Sequence, residues 1–563
     1  MHQLKHHLKL KTMLAGCALF ALSAAPLQAL AAFGLTTNTG DYTIDTGAGL
    51  VFKVLRTATS QAGVGDISSL VYNGVELQGQ TKGSHIASGF SGLYTGVTAV
   101  SVSATQPNTD TIKVTVTTGN LTHYYMARRN VSHIYMGTNI TAEPSVGEFR
   151  WITRMKSSVL TGVPAESNLN GTTTTVESTD VFGFANGETR SKYYGNQRTL
   201  DYTLRGITGS GVGVYMVYDN REGASGGPFF RDIQNQSSST TSGDTELYNY
   251  MNSGHNQTEA YRMGFHGPYA LLFTGGSTPA IPDMSWVANM GLTGYVAASG
   301  RGGVTVAGMT GLDSSYPYTV AFSNSTAQYW GAANASSGQM TKTGMKPGTY
   351  TMTVYKNELA VDSRSVTVSA GSTTNVSSFA VTGDPAAKTA LWRIGKWDGS
   401  PKEFLNGDKV NAMHPSDTRM AYWTPADYIV GTSSAATGFP AYQWKGVNGA
   451  VNVRFNLTAA QVVASSTYQL RVGITAAYAN ARPQVTVNGW TSAVPTASTQ
   501  PDSRSLTIGT YRGNNAMFTF TVPVANLVVG QNILTLAPAS GSSGTTYLSP
   551  GYAFDAVDLI KTP

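Results

Sequence analysis

The sequence predicts an all-β protein, and three observations predict it. Short alternating runs rich in β-branched and aromatic residues recur along the chain, as in Thr111-Ile112-Lys113-Val114-Thr115-Val116-Thr117 and Tyr350-Thr351-Met352-Thr353-Val354-Tyr355. Such a run buries one face and wets the other. Turn pairs such as Asn73-Gly74 and Asn488-Gly489 separate the runs, and both residue types accept the backbone of tight hairpins. Only 12% of the residues are charged, while Gly, Ser, Thr, Asn and Tyr are plentiful. That mix suits a β-rich extracellular protein with a polar, uncharged surface. Sustained helical periods are few, and Thr458 to Ala464 is read as a helical turn or two.

The first 31 residues are read as an export signal outside the fold. Lys5, Lys9 and Lys11 precede an apolar run from Met13 to Ala25, and Ala29-Leu30-Ala31 suits cleavage before Ala32. The run is too short for a stable membrane span. Leu14-Ala15-Gly16-Cys17 resembles a lipoprotein box, but Cys17 lies near the start of the apolar run rather than its end. Plain secretion is therefore the reading.

Residues 32–287 form a long β-rich block holding most of the histidines. From Gly294 to Gly302 the texture changes to a compact pattern, read as a second unit over 288–381. Its Met345-Lys346-Pro347-Gly348-Thr349-Tyr350 is the turn-then-strand signature of small immunoglobulin-like or fibronectin type III-like sandwiches. Thr382 to Lys388 reads as a linker. A last β block over 388–563 has the size of a jelly roll, with its final strand within Tyr547 to Leu559.

Cys17 is the only cysteine, so the mature chain has no disulfide, no thiolate metal site and no cysteine nucleophile. Removing the three leader lysines from 37 basic residues leaves 34 against 31 acidic ones, a near-balance that argues against nucleic-acid binding. The mature histidines are His85, His123, His133, His255, His266 and His414, and no pair has zinc-ligand spacing. There is no phosphate-cradling glycine loop. A pair of carboxylates meeting only in the fold stays open. So, on composition alone, does a β-rich adhesin or structural protein.

Three stretches carry candidate chemistry. In Leu247 to His255, alternation puts Tyr248 and Tyr250 on one strand face, with Asn252-Ser253-Gly254 as a turn presenting His255. Two phenols and an imidazole there make a sugar-binding edge with a proton-transfer group, or else ordinary packing beside an exposed histidine. Glu188-Thr189-Arg190-Ser191-Lys192-Tyr193-Tyr194 offers two bases and two tyrosines to an acidic sugar, or forms a solvated loop. Arg150, Ile152 and Arg154 share a strand face, where two guanidiniums either meet one anionic ligand or point to water.

Together with motifs spaced along the chain, these stretches resemble polysaccharide lyase family 4, the rhamnogalacturonan lyases. The series includes Gly83-Ser84-His85-Ile86, Thr141 to Ser145, Gly226-Gly227-Pro228-Phe229-Phe230-Arg231-Asp232, Tyr261-Arg262-Met263-Gly264, His266-Gly267-Pro268-Tyr269 and Met413-His414-Pro415-Ser416-Asp417. The resemblance implies a large catalytic β-sandwich, a fibronectin type III-like domain and a jelly-roll domain like carbohydrate-binding modules. It implies an enzyme acting on rhamnogalacturonan I; a secreted monomer with neither nucleic acid nor membrane as partner is the accompanying expectation. Carried over, the catalytic lysine falls on Lys192 and the catalytic histidine on His255. Substrate contacts fall on Arg150, Tyr248 and Tyr250, and on Arg504 from the third domain. Ile508 stands where the family pattern implies another arginine, and Gly65 and Val116 replace cysteines of fungal relatives. No catalytic cofactor is implied; Asp398 and Asp555 are the candidates for a structural calcium in the third block.

Overall fold

The computed structural model describes residues 32–79, 81–88, 99–142, 148–218, 220–237, 243–253, 260–500, 505–509 and 514–563. The proposed leader lies outside them, as do His255 and Arg504. Among the described residues strands dominate, and the two α-helical segments, Ala435–Gly438 and Ser505–Ile508, are single turns. No helix among the described residues is long and apolar enough to cross a membrane.

The first block is built on a seven-stranded antiparallel sheet. Its order is Leu204–Gly209, Val212–Val217, Gly264–Thr274, His133–Ile140, Leu121–Arg128, Thr111–Thr118 and Ser101–Asn108. In Thr111–Thr118 the alternation works as read: Ile112, Val114 and Val116 are buried in one core with Tyr125, Met136, Trp151 and Leu271. A four-stranded sheet contributes Trp151 to that core; its order is Asn235–Ser237, Asp244–Ser253, Glu148–Lys156 and His85–Ser88. Asn73-Gly74 closes a hairpin with φ of 49° and 81°, the mirror-image turn that matches strand twist. Asn488-Gly489 does the same in the last block.

The second core gathers Val304, Val320, Phe322, Met352 and Val354 from Gly302–Val306, Tyr318–Ser323 and Gly348–Lys356. The turn before the last of these is pinned by Tyr350, whose hydroxyl donates to the Lys346 carbonyl at 2.7 Å. The third core lies between two five-stranded sheets. Gly551–Thr562 is buried at the centre of one, between Ala390–Gly395 and Thr467–Tyr478. Thr458 to Ala464 makes only one closed turn, Val462 N–H to Thr458 carbonyl at 3.1 Å, and no assigned helix.

Buried ion pairs tie the blocks together. Glu358, fully buried, accepts from Arg198 and Arg231 of the first block at 3.0 Å each. Its backbone bonds Asp398 and Asn515 of the last block. Gly399 makes that approach possible: at φ +83°, a Cβ there would meet the Glu358 backbone at 2.4 Å. The stretch read as a linker is itself anchored, since Asp384 accepts from Lys356 at 2.5 Å and from the Ala386 N–H.

Candidate functional site

The candidate site forms where Glu148–Lys156 and Asp244–Ser253 run antiparallel. Register places Arg150 opposite Tyr250, Ile152 opposite Tyr248 and Arg154 opposite Glu246. Opposed residues share a face, so alternation on each strand puts the cations and the phenols on one surface. A β-bulge between Phe149 and Arg150 shifts the register there, a device that re-aims side chains beside functional sites. Of the turn read at Asn252-Ser253-Gly254, Asn252 and Ser253 are strand, and Gly254 lies outside the described residues. Both residues continue the ladder, opposite Phe149 and Glu148, because pairing with a distant strand outweighs their local turn preference.

The Arg150 guanidinium donates to the Tyr250 hydroxyl, sits 5.3 Å above that ring, and pairs with Glu148. Arg154 pairs with one oxygen of Glu246, and the other accepts the Tyr248 hydroxyl. The two tyrosine rings stack at 5.8 Å. Burial, before nearby charges, pushes both phenols well above their ordinary range. They remain neutral donors. The Nε atoms of Arg150 and Arg154 are buried and find no hydrogen-bond partner among the described residues.

Lys192 follows the strand Thr189–Ser191, and its Nζ lies 3.0 Å from Asp180 and 5.6 Å over the Tyr193 ring. Tyr193 and Tyr194 carry this turn into an apolar cluster with Ile152, Val181, Ile233, Tyr248, Tyr250 and Ile508. The lysine turn and the tyrosine strand are thereby held together. Arg190 turns instead to Glu188 and Phe184. Ile508 comes from the third block, so that block lends the cluster an apolar wall where the family pattern implies an arginine. The Tyr194 hydroxyl donates to the Thr507 carbonyl at 2.9 Å, and Thr189 donates twice to Asp417.

Several site residues escaped sequence reasoning. Glu148 and Glu246 were legible, each two places before a chosen residue on its strand. Asp180 and Asp232 had no local signal beyond Asp232 ending the Gly226–Asp232 motif. Asp232 is buried, and its carboxylate acts on Tyr250 and Arg150 electrostatically. His85 stands opposite Ile152. Burial first, then the Arg154 charge, lower it to about 3, so its imidazole is neutral. Its Nδ1 is 2.9 Å from the Gly83 carbonyl and therefore donates.

The expected calcium position can be tested against its donors. Asp555 accepts the N–H groups of Gly399 at 2.7 Å, Ser400 at 3.2 Å and Asp398 at 3.3 Å through one oxygen. Its other oxygen and Asp398 Oδ1 are buried without a partner among the described residues. Two orphaned hard oxygens fit calcium chemistry, but among the described residues no three acidic, histidine or cysteine side chains are grouped to hold a metal. Burial, reinforced by Asp398, raises Asp555 well above the carboxylate range, and burial raises Asp398 to about 6.

A buried carboxyl elsewhere gives a separate prediction. Burial raises Asp66 from 3.8 to about 7. The folded chain thus holds a proton that the unfolded chain releases; the stability it confers is full below pH 3.8 and lost as pH rises through about 7. Asp66→Asn should therefore gain thermal stability relative to the parent across that window. A constant difference in melting temperature at all pH values would refute this.

Comparison with known proteins agrees with the three-block organisation of the sheets. Residues 33–294 match the family described as rhamnogalacturonan lyase B, N-terminal. Residues 300–376 match polysaccharide lyase family 4, domain II, and residues 390–559 match domain III. A probable rhamnogalacturonate lyase A of Aspergillus clavatus is 44% identical over 550 residues, covering 96% of this chain and 99% of that protein. Rhamnogalacturonate lyase A of Aspergillus aculeatus is 44% identical over 539 residues, covering 94% and 97%. That of Emericella nidulans is 44% identical over 554 residues, covering 96% and 99%. With its β-sandwich cores, its fibronectin-like and carbohydrate-module-like blocks and this end-to-end identity, the chain belongs to polysaccharide lyase family 4 and is an enzyme of that family.

Proposed function

We propose that the enzyme is secreted and cleaves the rhamnosyl-(1→4)-galacturonate bond of rhamnogalacturonan I by β-elimination. The observation that carries the reading is the Arg150–Tyr250 pair beside the Lys192 turn: a held cation and neutral phenols next to an amine, on a chain aligned throughout with rhamnogalacturonate lyases. The galacturonate C5 hydrogen lies α to a carboxylate. Lys192 takes that proton, the C5–H electrons form the C4–C5 double bond, and the C4–O bond breaks. His255 gives a proton to the departing oxygen, which leaves on rhamnose. Arg150 faces the carboxylate as charge builds on it, and Tyr248 and Tyr250 orient the ring. Arg504 joins the cleft from the third block. The lysine performs its step only as the free amine, and no catalytic metal enters this scheme.

Strict alternation of rhamnose and galacturonate follows, because the cleft must seat a carboxylate beside a deoxy sugar. Reducing ends should appear quickly from purified rhamnogalacturonan and slowly from polygalacturonate; rapid cutting of polygalacturonate would overturn the specificity. We also propose a structural calcium held by Asp398 and Asp555. Calcium should raise the melting temperature at pH 8 in the parent and not in Asp555→Asn. No rise in the parent would remove the ion from the account.

A further inference from the structure

A serine, a histidine and a glutamate that take no part in the lyase scheme meet where the third block docks on the first. His414 Nδ1 lies 2.7 Å from the Ser416 hydroxyl, and His414 Nε2 lies 3.1 Å from a Glu177 carboxylate oxygen. His414 and Glu177 are buried, whereas Ser416 is exposed. The Ser416 N–H also donates to His414 Nδ1 at 3.1 Å, a bond that only an unprotonated Nδ1 accepts. The ring proton therefore sits on Nε2 and faces Glu177, and the Ser416 hydroxyl donates to Nδ1. A hydroxyl backed by an imidazole, itself oriented by a carboxylate, is the arrangement that activates a serine nucleophile. The two ring nitrogens trade the places they hold in serine proteases, and each still makes one of the two bonds the chemistry needs.

The turn that carries the pair is held in place. Pro415, between the two residues, is buried, and its carbonyl accepts the Trp423 indole N–H at 2.9 Å. The Asp417 N–H donates to the His414 carbonyl at 2.9 Å, and the His414 N–H donates to Thr189 Oγ1 at 2.9 Å. Tyr547 meets the imidazole edge-on, with ring centres 5.5 Å apart. Thr507 donates to the second Glu177 oxygen at 3.3 Å. A nucleophile and base fixed in this way need little reorganisation to react.

Ser416 opens into a pocket of about 200 Å³, with Trp423 and Tyr547 among its walls. That is below the roughly 300–1,000 Å³ of drug-sized ligand sites, and it is room for a short acyl group. Tyr422, 80% exposed, and Thr424 line the same pocket. Their hydroxyls are donors for an acyl oxygen as it gains charge.

We propose that this pocket is an esterase site, which removes an acetyl-sized acyl group from a sugar hydroxyl. Ser416 Oγ bonds to the acyl carbon as its proton passes to His414 Nδ1, and Glu177 steadies the imidazolium through Nε2–H. The ester C–O bond breaks, and the sugar oxygen leaves with the proton from Nδ1. Water then gives a proton to Nδ1 and its oxygen to the acyl carbon. The acyl–Ser416 bond breaks, the carboxylic acid departs and Oγ recovers its proton. The ester chemistry follows from the triad; a polysaccharide hydroxyl as the alcohol rests on the proposed function.

Turnover of p-nitrophenyl acetate and acetate release from acetylated rhamnogalacturonan, both by the full chain, test this. The parent should exceed the solution rate on both. Ser416→Ala should lower both rates at least about a hundredfold, while its melting temperature and its kcat on unacetylated rhamnogalacturonan stay those of the parent. A fluorophosphonate should lose fluoride to Ser416 Oγ, read as added mass on the peptide that contains it. Equal ester rates in parent and Ser416→Ala, no turnover above the solution rate, or an unmodified peptide would each overturn the site. Turnover of p-nitrophenyl acetate with the acetylated polysaccharide untouched would overturn the sugar as the alcohol. A parent that released acetate but left rhamnogalacturonan uncut would sink the lyase reading and leave this site standing.

Discussion

Replacing Lys192 or His255 by alanine is expected to lower kcat on rhamnogalacturonan by about 10²–10⁴-fold each. At about 1.4 kcal/mol per decade, that is roughly 3–6 kcal/mol of transition-state stabilisation apiece. Affinity should fall far less, because Arg150 and the tyrosines still hold the chain. Lys192→Arg should be nearly as damaging as alanine, since a guanidinium keeps the charge and cannot release its proton near neutral pH. Thermal melts establish that each variant folds. Substantial turnover by Lys192→Arg would make Lys192 a charge clamp and move the search for the base to His255. After it comes His85, the neutral imidazole on the sheet of Arg150 and Tyr250.

Glu358→Ala is expected to destabilise the protein by about 3–5 kcal/mol in denaturant unfolding. The mutation removes the buried carboxylate that pairs with Arg231, whose side chain is 6% exposed. Arg198→Ala should cost less, because Arg198 is more exposed and Glu358 keeps Arg231. The effect should reach the site as well. Arg231 adjoins Asp232 and Ile233, the second of which packs against Tyr248 and Tyr250, so KM should rise in Glu358→Ala. A loss below about 1 kcal/mol would mean that the triad is no buried pair in energetic terms.

What was legible in the sequence was what a single strand encodes. Period-two alternation was enough to place Tyr248 with Tyr250 and Arg150 with Arg154, and Asn-Gly pairs were enough for two hairpins. The pairing of Arg150 with Tyr250 was not legible, because it joins strands 100 residues apart. Asn252-Ser253 misled for the same reason: their turn composition is local, and their ladder partners are not. The carboxylate that holds Lys192, Asp180, comes from a separate turn of the chain. Ile508 read as a lost arginine in sequence, and in the fold it completes an apolar cluster with four tyrosines. The ties at Glu358 and Glu222 likewise depend on separate blocks meeting, three at Glu358 and two at Glu222.

The central claim is elimination, and one paired measurement tests it most directly. During digestion of purified rhamnogalacturonan, ultraviolet absorbance and new reducing ends are followed in the same sample. Each eliminative cut makes one C4–C5 double bond conjugated to the galacturonate carboxylate, so the two signals should rise together, one double bond per new end. Reducing ends accumulating without absorbance would mean that water is added across the bond, and would contradict the account.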